Sequence, residues 1–383
     1  MMDLYTTDVL ILGGGLAART AARALRGSNA AVSLLTVSPG ASAPADWEAP
    51  CPPVPADQLE RDTLRAGAYQ NDPALVRALC QDAPPPAPAR EGEIPHRRGW
   101  GLRLFMQGGR VQGALCFDPD QGRLFGVSAG AVLLATGGYG DLYAADGNRR
   151  RMGDAIGMAY YAGAAMTDLE FSCFSQDRTV TLGGVIADEQ GRATVPGLLA
   201  AGGCMAGVHG AGLVPGVDTR AALVFGRRAG LALAGMDRLP GADPEALRAW
   251  AEETAPIGDE DLAAPLAAMR REMEAALRAG AGPVRDQTGV EKALQTVSHA
   301  QHELNELPPC PEDQCFTRLR LENDLIAARL TLLSSMERRE SVGVYRRADH
   351  PEAPRRPYRV RLALTGMLLF PEKEDWSGHR PLT

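Results

Sequence analysis

Asp8-Val-Leu-Ile-Leu-Gly13-Gly14-Gly15-Leu-Ala17-Ala18-Arg-Thr-Ala-Ala-Arg-Ala-Leu25 is the stretch from which the rest of the chain is read. Val9 to Leu12 form a continuous apolar run, the pattern of a strand buried on both faces. Three glycines follow, then an Ala-rich segment with Leu16 and Leu25 at helical spacing. The order is strand, tight turn, helix. Gly13 and Gly15 lack the Cβ that would obstruct a sharp turn or the approach of a diphosphate. Ala18 is small enough for the helix to lie close to the strand. The helix N-terminus offers N–H groups and a positive dipole end to an anion. Gly13-x-Gly15-x-x-Ala18 therefore reads as a dinucleotide-binding fingerprint in the context such a motif needs; the plainer alternative is an ordinary strand–turn–helix.

The second strand, Ala31 to Val37, should end in an acid that holds ribose hydroxyls. The nearest residues are Thr36 and Ser38, both uncharged. No basic residue is placed there for a 2′-phosphate either, so NADP gains no support.

The 383 residues suffice for two or three domains with a large core. A net charge of −7 argues against nucleic acid as the main partner. No apolar run is long enough to span a membrane, and the N-terminus enters a strand without a basic leader, so a cytoplasmic location is expected. The seven cysteines are scattered. Cys310 and Cys315 are the one close pair, and no His or second pair completes a metal site, so reduced structural thiols are expected.

Residues 39–56, rich in Pro and Ala, read as an irregular loop. Asp57 to Cys80 reads as two helices with a fresh start at Asp72-Pro73. Ala83 to Ala89 is a stiff Pro-rich linker. Leu102–Met106, Gly113–Asp118 and Arg123–Ser128 are short strands separated by turn signals, a β-meander. Ala131–Ala135 and Gly197–Ala201 are further buried strands that end in glycine, with helices expected from Asp154 to about Ala162 and from Thr219 to about Leu233. Leu262, Leu266, Met269, Met273 and Leu277 mark an amphipathic helix, and Val290–Leu307 and Leu319–Glu337 are two more. The expected architecture is α/β: a doubly wound dinucleotide-binding domain, with parallel sheet and β-meander, over 1–238. A helical bundle follows over 239–350, and a tail of unassigned structure over 351–383.

Four blocks carry a resemblance. They are the Gly13–Ala18 fingerprint; Leu134-Ala-Thr-Gly-Gly-Tyr-Gly140 with Met152-Gly-Asp-Ala-Ile-Gly-Met-Ala159; Pro196-Gly-Leu-Leu-Ala-Ala-Gly202 with His209-Gly-Ala211 and Val224-Phe-Gly-Arg-Arg-Ala-Gly230; and Arg339-Glu340-Ser341 with Arg347, Asp349 and Pro351. Asp62-Thr63-Leu64 with Ala66-Gly67 also fits. In this order the chain resembles the succinate dehydrogenase, fumarate reductase and L-aspartate oxidase flavoprotein family. The resemblance implies an FAD-binding domain, and together with the fingerprint it nominates Gly13, Gly14, Gly15, Ala17, Ala18, Thr36, Ser38, Ala135, Thr136, Gly137, Asp154, Gly202, Gly203, Gly216, Asp218 and Thr219 as cofactor residues. The family's counterpart of Asp154 lies on the cofactor side of its helix; an N-cap is the alternative. The stretch 216–219 would pass the flavin ring, and the stretch from His209 to Leu213 is otherwise a glycine-rich connector.

The departures are large. The family inserts a cap domain between its counterparts of Phe171 and Gly183, and here only Ser172 to Leu182 intervene. The resemblance places Thr179 where the family has a histidine, and Leu213 where it has the arginine that holds the substrate carboxylate. The acid after Gly202 is replaced by Gly203. The loop 39–56 has no histidine for covalent flavin attachment, so non-covalent FAD is implied. Asp218, Arg220, His209 and Arg178 are polar residues that either line an uncapped pocket or are solvated. An FAD-dependent oxidoreductase with a changed substrate is the leading expectation, with a protein partner or electron-accepting subunit. A non-catalytic homologue serving in assembly is the alternative, and an NAD-dependent dehydrogenase the third.

Overall fold

The computed structural model describes residues 2–36, 54–87, 96–144, 151–176, 178–237, 240–354, 356–365 and 368–375. The chain opens with β1 (Asp3–Leu12), α1 (Leu16–Ala24) and β2 (Val32–Thr36). Two helices follow, α2 (Ala56–Ala66) and α3 (Pro73–Gln81). The fresh start expected at Asp72-Pro73 is there: the Asp72 carboxylate accepts from the amides of Ala74 and Leu75, and Pro73 opens α3. Next come β3 (Arg97–Arg98), β4 (Trp100–Gln107), β5 (Arg110–Asp118) and β6 (Arg123–Leu134).

These strands form one sheet in the order β3-β2-β1-β6-β5-β4. β1 lies between parallel neighbours, with Val9 opposite Val32 on one side and Ala131 on the other. Its last four residues are buried, as an apolar strand flanked on both edges requires. β4, β5 and β6 make the expected antiparallel meander. The expected break between Arg123–Ser128 and Ala131–Ala135 is absent. β1 pairs with β6 on both sides of that point, from Asp3 opposite Phe125 to Leu12 opposite Leu134, and this ladder carries the strand through Gly130.

The middle of the chain holds α4 (Asp154–Tyr161), β7 (Met166–Thr167), β8 (Ser172–Phe174), β9 (Thr179–Thr181), β10 (Gly184–Val185), β11 (Leu198–Ala200) and α5 (Val217–Ala234). β11 adds in parallel to the C-terminal end of β6. β8 and β9 pair as a short antiparallel hairpin between Phe171 and Gly183. α5 begins at Val217, earlier than expected, because Gly216 turns the chain at φ 81. α5 packs on α1 backbone to backbone: a Cβ on Gly226 would stand 2.6 Å from the Ala17 carbonyl oxygen, and one on Gly230 2.4 Å from that of Ala21.

The last part contains α6 (Pro244–Thr254), α7 (Ala263–Gly280), β12 (Val284–Arg285), α8 (Gln287–Glu306), α9 (Glu312–Glu337), β13 (Arg346–Arg347), β14 (Tyr358–Thr365) and β15 (Leu368–Asp375). The three expected helices are α7, α8 and α9, and Leu266, Met269, Met273 and Leu277 of α7 are buried. The tail, unassigned from sequence, is a hairpin of β14 and β15, and β14 joins the body where Leu362 pairs with Met166. α9 is buried around most of its circumference, polar residues included. Its Arg320 meets Asp154 of α4, its Asp324 meets Arg270 of α7, and its Glu322 meets Arg103 of β4. Burial pushes the Glu322 and Asp324 carboxyls upward, and the facing arginines oppose it.

Candidate functional site

The site is built where β1, β6 and β11 end beside the N-termini of α1 and α5. Gly13, at φ 125, turns so close to β6 that a Cβ would stand 2.1 Å from the Ala135 carbonyl oxygen. A Cβ on Gly14 would stand 2.0 Å from the Thr36 hydroxyl, whereas one on Gly15 would meet nothing within 4 Å. The two outer glycines thus serve different purposes. Gly13 permits packing, and Gly15 keeps open the space in front of α1. Gly15 is the N-cap residue of α1 and has no side chain to cap it, so the first amides of that helix keep their capacity for an anion. Ala17 and Ala18 are buried beneath them.

At the end of β6 the half-buried Thr136 holds its hydroxyl oxygen buried without a protein partner. Ala135 is buried beside it, and Gly137, at φ 87, has open space where a Cβ would be. Gly203 lies against Gly138, and a Cβ on Gly202 would stand 2.9 Å from that of Ala17. An orphaned buried hydroxyl, an uncapped helix and glycines bordering open space are what a bound diphosphate would complete. The residues present fit the dinucleotide. Because Gly226 lies over Ala17 and Gly230 over Ala21, α5 and α1 run in the same direction, and α5 starts about 12 Å ahead of α1 at ~1.5 Å per residue. Two helix N-termini offset along one line suit an elongated cofactor with an anion at one end and a ring system at the other.

Gly216, Asp218 and Thr219 form the start of α5, with Asp218 and Thr219 inside its first turn rather than on a preceding loop. His209 is half-buried near Asp218. Burial pushes its imidazole down to about 4, against the pull of the Asp218 charge. Ser38 lies outside the described residues, as does most of the loop 39–56. Asp154 has a partner the sequence did not reveal: it is bound by Arg320 through two contacts of 3.3 Å. The N-cap reading of Asp154 is corrected: Gly153 is the N-cap residue, and its amide donates to Asp324.

The polar candidates of the sequence for an altered substrate pocket divide. Arg220 neither lines a pocket nor is solvated. Its guanidinium donates to the carbonyls of Leu79, Cys80 and Asp82 at the C-terminus of α3. A cation there satisfies the carbonyls and the negative end of the helix dipole. Arg178 sits at the tip of the β8–β9 hairpin, where its carbonyl accepts from Ser175. Leu213 packs with Val180 and Ala68 against a cluster of Phe171, Leu182, Ala211, Val342 and Tyr345. Thr179 is half-buried in β9, its backbone in tight contact with Gly140. Cys204, below the glycines of β11, is buried and its thiol is pushed up to about 11, as expected of a structural thiol. None of the six described cysteines is bridged to another.

Sequence reasoning missed one polar group here, Gln70. It is fully buried, and neither atom of its carboxamide has a partner. A glutamine in a turn carries no signal for this, since a missing partner exists only in the folded chain.

Among known proteins, residues 100–180 match a family described as FAD binding domain, and residues 270–376 match one described as Fumarate reductase flavoprotein C-term. One of the subunits of the fumarate reductase (CoM/CoB) of Methanothermobacter marburgensis is 34% identical over 178 residues, 45% of this chain and 32% of that protein. L-aspartate oxidase of Halobacterium salinarum is 31% identical over 234 residues, 45% of this chain and 46% of that protein. The chain thus spans less than half the length of these curated relatives. In fold it is similar to the Mycobacterium smegmatis Sdh1 complex, with a TM-score of 0.81 at 16% identity, covering 99% of this chain and 96% of that one. The matched FAD binding domain marks the chain as an FAD-binding flavoprotein. In these two matched regions and in its relatives the chain is similar to the succinate dehydrogenase, fumarate reductase and L-aspartate oxidase flavoproteins.

Proposed function

We propose that this chain is an FAD-dependent oxidoreductase that holds FAD non-covalently and acts on a substrate other than the dicarboxylates of its relatives. The observation that carries the changed substrate is Leu213, packed into an apolar cluster at the place of the family's carboxylate-binding arginine. Bound FAD supplies two-electron redox chemistry. The chain's own residues bind and orient it. The α1 amides and Gly13 to Ala18 take the diphosphate, with Thr36, Ala135, Thr136, Gly137, Gly202 and Gly203 around it. Gly216, Asp218 and Thr219 hold the ring end, where the amides and positive dipole end of α5 favour negative charge. Asp154, already bound by Arg320, is left out of this set. A protein partner that accepts electrons and a cytoplasmic setting complete the proposal. No helix among the described residues is long and apolar enough to cross a membrane.

The test is the visible absorption of the purified protein, followed by acid precipitation. Flavin in the native protein that leaves with the supernatant supports the proposal. Flavin that stays with the pellet refutes non-covalent binding, and protein that takes up no FAD on reconstitution refutes the flavoenzyme. A second reading, a non-catalytic homologue, draws on Arg220, which is engaged at α3 rather than in the site. Flavin that binds but is not reduced by any donor tried would favour it.

A further inference from the structure

Five buried polar atoms without a protein partner are concentrated on one seam of the molecule: the Thr63 hydroxyl, both ends of the Gln70 carboxamide, the Asn71 side-chain oxygen and His209 Nδ1. The seam joins the turn after α2 to the loop before α5. It is zipped by the Asp72 amide on the Gly207 carbonyl, the Ala211 amide on the Gly67 carbonyl, and the Asn71 side-chain amide on the Val208 carbonyl at 2.8 Å. A buried polar group without a partner costs about 1–3 kcal/mol, so several gathered in one place call for a molecule that satisfies them.

The chemistry of that molecule follows from the groups present. Gln70 offers two donors and an acceptor, and the Asn71 oxygen is an acceptor. His209 is neutral at physiological pH, because burial holds it far below its ordinary range. The nearby charges are the Asp218 carboxylate, which repels anions, and the Arg359 guanidinium beside Gly207, which is already held by the Asp168 carboxylate and faces Asp72. Arg220 is turned to the end of α3, and the adjoining wall of Ala68, Val180 and Leu213 is apolar. Nothing here suits two carboxylates, whereas a compact uncharged compound could exchange hydrogen bonds on one side and lie against carbon on the other.

We propose that the seam formed by residues 63–71 and 207–213 is a binding site for a small uncharged carbonyl or carboxamide compound, recognised by Gln70 and His209. The proposal deepens the flavoenzyme reading and rests on it for what becomes of the ligand, though not for its binding. Gln70 is a recognition residue here and has no part in holding FAD.

Fumaramide and fumarate share shape and differ in charge, which makes them the probes. Calorimetric titration of the purified full chain needs no turnover, and flavin content is measured separately, so failure of the flavoenzyme reading would not be mistaken for failure of the site. The wild type is expected to bind fumaramide at least tenfold more tightly than fumarate. Gln70→Leu removes the orphaned atoms at nearly constant volume. It is expected to melt at or above the wild-type temperature, keep its flavin content and lose at least tenfold in fumaramide affinity. Absence of fumaramide binding, equal affinity for fumarate, or unchanged affinity in Gln70→Leu would overturn the proposal. So would a lower melting temperature of Gln70→Leu, which would mean that the carboxamide already has partners inside the protein.

Discussion

Among single residues, the glycines of the first turn separate folding from binding. Gly13 stands at φ 125 with the Ala135 carbonyl in the space of a Cβ, so Gly13→Ala is strained twice over. It is expected to lower stability by several kcal/mol, on the scale of ~1–3 kcal/mol for a strained backbone plus a comparable steric term. Gly15 stands at φ −74 with open space ahead of it. Gly15→Val is expected to keep the wild-type melting temperature measured without flavin and to weaken FAD at least tenfold in a fluorescence titration. Equal flavin affinity would remove the phosphate turn from the cofactor site. His209 makes a prediction in pH. Its folded pKa, about 4, lies below the ordinary 6.5, so the unfolded chain takes up the proton first. Stability is therefore complete above about pH 6.5 and falls as pH drops toward 4, by at most about 3 kcal/mol from this residue. Urea unfolding at pH 7 and pH 5 should show a smaller loss in His209→Asn; parallel losses in both proteins would mean that the imidazole is not held neutral.

Among elements, α9 is the one whose role lies furthest from its sequence pattern. An amphipathic helix reveals its buried face by periodicity, but α9 is buried on most sides and its polar residues are internal ion partners. Just beyond its end, Arg338 is fully buried against Glu170, also fully buried, and donates to Glu340 and the Tyr358 carbonyl. Burial raises the Glu170 pKa while Arg338 opposes it. Removing the cation alone leaves an unpaired buried carboxylate, so Arg338→Met is expected to cost about 3–5 kcal/mol in urea unfolding. Adding Glu170→Leu should recover most of the loss, and a double variant no better than the single one would show that the pair is not the source of the cost. The same contrast explains what could be read beforehand. β1 and α1 were legible because an apolar run, three glycines and a small-residue helix each have one economical arrangement. α3 was legible from its Asp-Pro start. β14 and β15 were not, because their place depends on β7, a two-residue strand far away in the chain. The partners of Asp154 and Arg220, and the missing partners of Gln70, depend on contacts between distant segments, and no local pattern encodes them.

Over the whole molecule, the arrangement of cations and cover leads to the expectation that this chain neither oxidises succinate or aspartate nor reduces fumarate at a useful rate. A dicarboxylate needs fixed cations, and a bidentate arginine suits it best. Buried arginines of this part of the fold are engaged elsewhere: Arg359, beside Gly207, with Asp168, Arg285 with the carbonyls of Glu170 and Gly282, Arg338 with Glu170, and Arg347 with Asp349. Arg220 closes the end of α3, and Leu213, which the resemblance sets where the family has its carboxylate arginine, lies in a packed apolar cluster. We propose that the β8–β9 hairpin stands where the resemblance places the family's cap and the proton-transferring side chain that the cap carries, so that water reaches a flavin ring at α5. Loss of a positioned acid or base commonly costs about 10²–10⁴-fold. Loss of a charge clamp adds about 2–4 kcal/mol, by analogy with removal of one oxyanion donor. Together these place dicarboxylate turnover several orders of magnitude below that of a capped enzyme. The check is a steady-state assay of flavin-loaded protein with succinate and an artificial electron acceptor, repeated with Arg178→Ala, whose side chain stands on the hairpin in place of the cap. Undetectable turnover is the expected outcome. Robust turnover abolished by Arg178→Ala would mean that the hairpin has taken over the work of the cap, and the expectation would fail.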